Sequence, residues 1–173
     1  MTTPSQPQTP DYVRDTLELL GAQDPIAILR EMPEWLQAHL MRLSPEQWRR
    51  PEGADKWSLV QVAAHIADTE IAFGWRARQI LTADNPPLHG FDEGAWLERF
   101  DYAHAEPAMA LDTFLTLRRW NLRVWDCATA TDLQRTGLHS QRGAETLDRL
   151  MRMNAGHDLR HRRQITRLLK VVR

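Results

Sequence analysis

Cysteine is almost missing from this chain: Cys127 stands alone among 173 residues. A disulfide framework within the chain and a cysteine-based zinc site are therefore both excluded. Beside Trp125 in an apolar helical segment, Cys127 reads as a small buried hydrophobe rather than a nucleophile. Long apolar runs are missing too, none approaching the ~20 residues that span a bilayer. Residues 1–10 carry neither the basic start nor the apolar stretch of a signal peptide. The expectation is a cytoplasmic protein with no membrane partner. Lysine is scarce, with only Lys56 and Lys170 among 22 basic residues. This arginine bias suits forked contacts to carboxylate or phosphate, and it is equally what genome composition can produce. A formal net charge of −1 argues against a polyanion binder. No nucleophile elbow, no Gly-rich phosphate loop and no paired Glu-x-x-His motifs occur. Serine-hydrolase and carboxylate di-metal chemistry thus find no support.

What is present is helical periodicity. Residues 1–10 hold three prolines and no large apolar side chain apart from Met1, and are expected to be a disordered tail before one domain over 11–173. A short helix fits 12–20, stopped by Gly21. Asp24-Pro25 starts a first long helix, with Leu29, Met32, Leu36, Leu40 and Leu43 on one stripe, to about residue 43. Ser44-Pro45-Glu46-Gln47 reads as a short capped turn. Ser58-x-x-Gln61 is a capping box opening a second helix to about 82, which Asp84-Asn85-Pro86-Pro87 ends. A third helix fits 106–128 and a fourth 144–172. No segment reads as a strand. Four long amphipathic helices predict an all-α four-helix bundle, with a long connection over 82–105 between helices two and three.

Two histidines stand on the inner face of the fourth helix. With His157 at zero and ~100° per residue, His161 falls at about 40°, beside Leu150 and Leu168 near 20°. Histidines at i and i+4 can chelate one metal ion; hydrogen-bonded core histidines are the other reading of such a pair. Burying two imidazoles without a metal requires polar partners, and only Asn154 and Gln164 lie close on that stripe. His65 sits at the polar border of the second helix's apolar stripe. Asp68, one turn on, is either a carboxylate orienting that ring or a surface acid. The fourth helix is rich in arginine but has no aromatic side chain, so a solvated face explains the charge better than nucleic-acid binding.

Trp57-Ser58-x6-His65-Ile66-x-Asp68-x-Glu70, then Phe91-Asp92-Glu93-x2-Trp96, Arg118, Gly143-x2-Thr146 and His157-Asp158-x2-His161-x2-Gln164-Ile165 form an ordered series. In order and spacing this series resembles the DinB-like (damage-inducible) metalloenzyme superfamily over about residues 23–169. The resemblance implies an up-down-down-up bundle and a metal held by His65, His157 and His161. Three imidazoles suit zinc, nickel or iron and leave positions open for reaction. Some relatives transfer a low-molecular-weight thiol such as bacillithiol or mycothiol, one branch isomerises maleylpyruvate with such a thiol, and others have no known activity.

The expected function is therefore metal-dependent transfer of a low-molecular-weight thiol to a small electrophile. The alternatives are a hydrolase using a metal-activated water and a non-catalytic, stress-related binding protein. A small-molecule substrate, no nucleic acid and a homodimer complete the expectation. Arg76, Arg118 and Asn121 fall on inward faces and are candidates to bind the cofactor or a small acidic ligand; structural ion pairing with Glu70, Asp92 or Glu93 is the other reading. His139, in a Gly-flanked loop, either reaches the mouth of the site or is merely exposed. Trp57, Trp75, Trp96 and Trp125 are expected near the core or the pocket rim.

Overall fold

Asp24 and Pro25 start the first long helix by the chemistry expected of them. The Asp24 carboxylate accepts the Ile26 N–H at 3.0 Å, and Pro25 takes a first-turn position where no N–H is needed. The computed structural model describes residues 10–172, so the expected tail lies outside the described residues except for Pro10, which opens α1. The helices are α1 (Pro10–Leu20), α2 (Pro25–Leu40), α3 (Pro45–Arg49), α4 (Leu59–Thr82), α5 (Glu93–Arg99), α6 (Pro107–Cys127) and α7 (Leu147–Val172). Ser44 and Gln47 cap α3 reciprocally, and at α4 the Ser58 N–H donates to Gln61 Oε1 at 2.8 Å.

α4 packs on α6 and α7, and α2 packs on the same two helices, closing the up-down-down-up four-helix bundle. Apolar side chains fill it in two layers. One contains Leu36, Ile66, Phe114 and Leu168; the other contains Leu29, Phe73, Trp125 and Leu150. Along α4, α6 and α7, the buried polar residues Glu70, Arg118, Asn154, His157 and Asp158 fall between these two sets. The bundle thus carries a polar layer across its middle.

The long connection between α4 and α6 is not loose. It contains α5 and a 3₁₀ turn, Tyr102–His104, both packed on α4. The Tyr102 hydroxyl donates to Asp68 of α4, tying the connection to the helix that carries His65.

Three short strands were not legible in the sequence: β1 (Pro87–Leu88), β2 (Thr136–His139) and β3 (Gly143–Thr146). β1 pairs parallel with β2, and β2 antiparallel with β3, with Thr136 opposite Thr146 and His139 opposite Gly143. A strand of two residues, and two of four residues with a glycine in each, show too little alternation to be recognised. Gly143, at φ +73°, closes the turn between them in a conformation that favours glycine. The fourth long helix accordingly begins at Leu147 rather than 144, with Thr146 Oγ1 accepting the Arg149 N–H at 3.1 Å. α2 likewise stops at Leu40, short of 43. Cys127 and Trp75 are exposed rather than buried, because both face away from the bundle axis at the surface of α6 and α4.

α1 lies outside the ring, along α7. The approach is close at Gly156, where a Cβ would collide with the Thr16 carbonyl oxygen. Gly156→Val is expected to lever α1 away and cost about 1–3 kcal/mol, the usual range for overpacking. Thermal unfolding checks this; an unchanged melting temperature would show that the contact has room to give.

Candidate metal centre

His65 projects from α4, and His157 and His161 from successive turns of α7, into the same space at the bundle's polar layer. His157 Nε2 lies 3.1 Å from His65 Nε2 and 3.0 Å from His161 Nε2, and all three ligand atoms lie within 4.8 Å of one another. His65 and His157 are buried, while His161 is half-buried. Trp57 meets the His65 ring edge-on at 5.0 Å between centroids, and Phe73 flanks His157 at 6.2 Å. These aromatic walls limit how the rings can turn.

The protonation pattern favours a cation at this point. Burial, then the neighbouring imidazoles, pull His65 and His157 well below the usual histidine range. Burial lowers His161 to about 4. All three rings are therefore neutral at pH 7, the form that ligates. Gln164 Oε1 lies 2.9 Å from His161 Nδ1, placing the proton there and leaving the Nε2 lone pair turned inward. A single N–H on His157 Nε2 can donate to one neighbouring nitrogen but not to both. Hydrogen bonding among the three thus leaves a lone pair facing a lone pair, whereas one cation satisfies all of them. Ligand nitrogens of a tetrahedral zinc with bonds of ~2.0–2.1 Å stand roughly 3.3 Å apart, close to the two shorter spacings here. The three residues fit a divalent metal.

His65 and His161 also line a cavity of about 480 Å³, with Tyr12, Trp57, Glu93, Arg160 and Arg163 among its other walls. His157 lies behind them. A metal at the triad would thus have one side open to small molecules.

Sequence comparison agrees with this architecture. The profile of the DinB superfamily matches residues 28–165. The chain belongs to the DinB superfamily. A relative in Oceanobacillus iheyensis is 28% identical over 143 residues, 82% of each chain. One in Geobacillus thermodenitrificans is 32% identical over 112 residues, 64% of this chain and 62% of the relative. YfiT of Bacillus subtilis is 29% identical over 147 residues, 83% of this chain and 81% of YfiT. The solved YfiT structure, described as having an unusual four-helix bundle topology, superposes with a TM-score of 0.76 and 23% identity, covering 96% of this chain and 90% of YfiT. All three relatives carry names that propose a metal-dependent hydrolase.

In this DinB-superfamily chain the inward arginines are engaged with the protein itself. Arg118 is 1% exposed. Its Nη1 donates to Asp158 Oδ2 at 2.6 Å and to the Leu29 carbonyl at 3.0 Å; its Nη2 donates to Glu70 Oε1 at 2.8 Å and to Asp158 Oδ1 at 3.0 Å. Pro33 explains the Leu29 contact. Proline has no N–H, so the carbonyl four residues earlier in α2 loses its helical donor, and Arg118 supplies one. Asn121 Nδ2 donates to the Glu70 carboxylate at 3.1 Å and to its backbone carbonyl at 2.9 Å, and Asn154 adds a third side-chain donor at 3.2 Å. With these donors and Arg118 opposing the effect of burial, Glu70 is held below the usual range. Asp158, where burial outweighs Arg118, rises to about 6.

Arg76 donates to the His89 carbonyl through Nε and Nη2, at 3.2 and 2.6 Å, and stands over the Phe91 ring. None of Arg76, Arg118 and Asn121 lines the cavity beside the histidines. His139 is buried in β2, its Nδ1 accepting the Gln141 N–H at 3.2 Å, and it does not line that cavity either. Burial, with Arg142 and Arg76 nearby, lowers it to about 3. Asp68 accepts from Tyr102, and among the hydrogen bonds of the described residues the side chain on a triad ring's Nδ1 is Gln164, on His161. Tyr12 and Arg160 were not singled out from sequence, because only the docking of α1 against α7 brings them to the cavity.

Proposed function

We propose that this protein is a metal-dependent enzyme in which His65, His157 and His161 hold one divalent ion (zinc, nickel or iron) and a low-molecular-weight thiol is transferred to a small electrophile. The observation that carries this reading is the triad of neutral imidazoles at one wall of a 480 Å³ cavity lined by no cysteine or serine. The nucleophile then arrives with a co-substrate, and a volume of this size suits two small reactants together. When bound, a divalent ion supplies the Lewis acidity that makes such a nucleophile reactive at neutral pH. The chain's own contribution is positional. Gln164 holds the His161 proton on Nδ1, Trp57 and Phe73 restrain the other rings, and α1 walls the cavity with Tyr12. Burial raises the Tyr12 hydroxyl to about 12, so it stays protonated at neutral pH.

Hydrolysis by activated water is the second reading, favoured by the names of the relatives. The two separate in one assay. Zinc-loaded protein is incubated with monobromobimane, with and without a panel of low-molecular-weight thiols, and in parallel with activated esters. Thiol conjugation accelerated by the protein and lost in His157→Ala is the expected outcome; ester turnover without thiol, in the absence of any conjugation, would replace transfer by hydrolysis. The homodimer belongs to the same proposal, supported by exposed Trp75 on α4 and Trp120 on α6, which flank the close contact of Gly74 with Asn121.

A further inference from the structure

The positive charge around the cavity is one-sided. Arg160, Arg163 and Arg167 follow one face of α7 at spacings of three and four, beside His161, and Lys56 approaches from the loop before α4. Against these four cations the cavity wall has two acids, Asp55 and Glu93. Arg167 reaches Glu52 at 3.6 Å, and the adjacent Arg162, outside this cavity, pairs with Glu31 at 3.5 Å. Among the described residues, Lys56, Arg160 and Arg163 form no salt bridge. Arg160 is nonetheless held in place, its guanidinium 4.7 Å from the Tyr12 ring centroid. A pinned guanidinium with unused N–H donors loses little freedom when it receives a forked anion.

We propose that Arg160 and Arg163, with Lys56 facing them, form a subsite for an anionic group, carboxylate or phosphate, on the small molecule whose reactive end meets the triad. This rests on the reading of the cavity as the substrate site. It moves anion recognition from the inward arginines, which the protein's own carboxylates and carbonyls occupy, to the outer edge of the histidine face.

Calorimetric titration of the zinc-loaded protein with succinate, with inorganic phosphate and with uncharged succinamide tests the subsite. At least one anion is expected to bind about tenfold more tightly than succinamide, as charge-assisted forked contacts provide. Arg163→Glu, at an exposed position that folding tolerates, and Arg160→Gln should each weaken that anion about five- to tenfold while zinc content stays unchanged. The tighter of the two anions distinguishes carboxylate from phosphate. Anions binding no better than succinamide, or binding Arg163→Glu as well as the parent, would overturn the proposal. Zinc content of the same samples reports separately on the triad: a preference for anions in protein that takes up no zinc leaves the subsite standing and removes the metal reading.

Discussion

Arg118→Met is expected to destabilise the protein by about 3–5 kcal/mol, the cost of removing one partner from a buried ion pair. For a chain of this size that is a fall of roughly 6–20 °C in melting temperature. The magnitude follows from what methionine leaves behind. Asp158 and Glu70, each 1% exposed, lose their shared cation, and the Leu29 carbonyl loses the donor that stands in for the missing Pro33 N–H. Arg118 extends from α6 to partners on α2, α4 and α7, so its loss loosens all four bundle helices at once. Arg118→Lys should recover little, because a single ammonium cannot reproduce four contacts made by a planar fork. Combining Arg118→Met with Asp158→Asn should restore part of the loss by removing an unpaired charge. Thermal and denaturant unfolding of the three variants check this, and a melting temperature within a degree or so of the parent for Arg118→Met would refute it.

The second large effect concerns metal. Purified tag-free protein is expected to hold one divalent ion per chain, and His65→Ala, His157→Ala and His161→Ala to hold almost none. Each variant should lose more affinity than the roughly 10–100-fold cost of deleting an orienting partner. Gln164→Leu, which removes the hydrogen bond to His161 Nδ1, supplies that smaller loss. Binding to the folded state alone adds stability by mass action, about 4 kcal/mol at a thousandfold excess over the dissociation constant. Chelation should therefore lower the melting temperature of the parent by roughly 8–16 °C and leave the three histidine variants unmoved. Metal analysis beside melting curves provides both readouts. Unchanged stoichiometry in any of the three alanine variants would remove that histidine from the ligand set.

How much of this was legible in the chain differs from residue to residue. The i, i+4 spacing of His157 and His161 on an apolar stripe already placed both toward the core, since helical geometry is local. His65 came from the family resemblance, because no local pattern says which face of α4 meets α7. The role of Arg118 was open between ligand clamp and structural pair. Its partners lie 89, 48 and 40 positions away, on three separate helices, and no spacing rule joins them. The arginines of α7, Arg163 among them, read as solvated charge because their helix face was known but not what stood opposite. The strands were hidden by their shortness, and by pairing that joins β1 to β2 across both α5 and α6.

The three histidines thus divide the protein between two levels of information. Sequence by itself determined the long helices, their caps, and the core-facing position of His157 and His161. Those features depend on residues within a turn or two of one another, where backbone geometry leaves few choices. Only the tertiary structure decided that three Nε2 atoms share one point and that Arg118 serves the bundle's core. The same holds for α1 completing a cavity rimmed by Arg160 and Arg163. Such features arise from close packing between distant segments, and packing is settled by the mutual fit of all the helices rather than by any one of them.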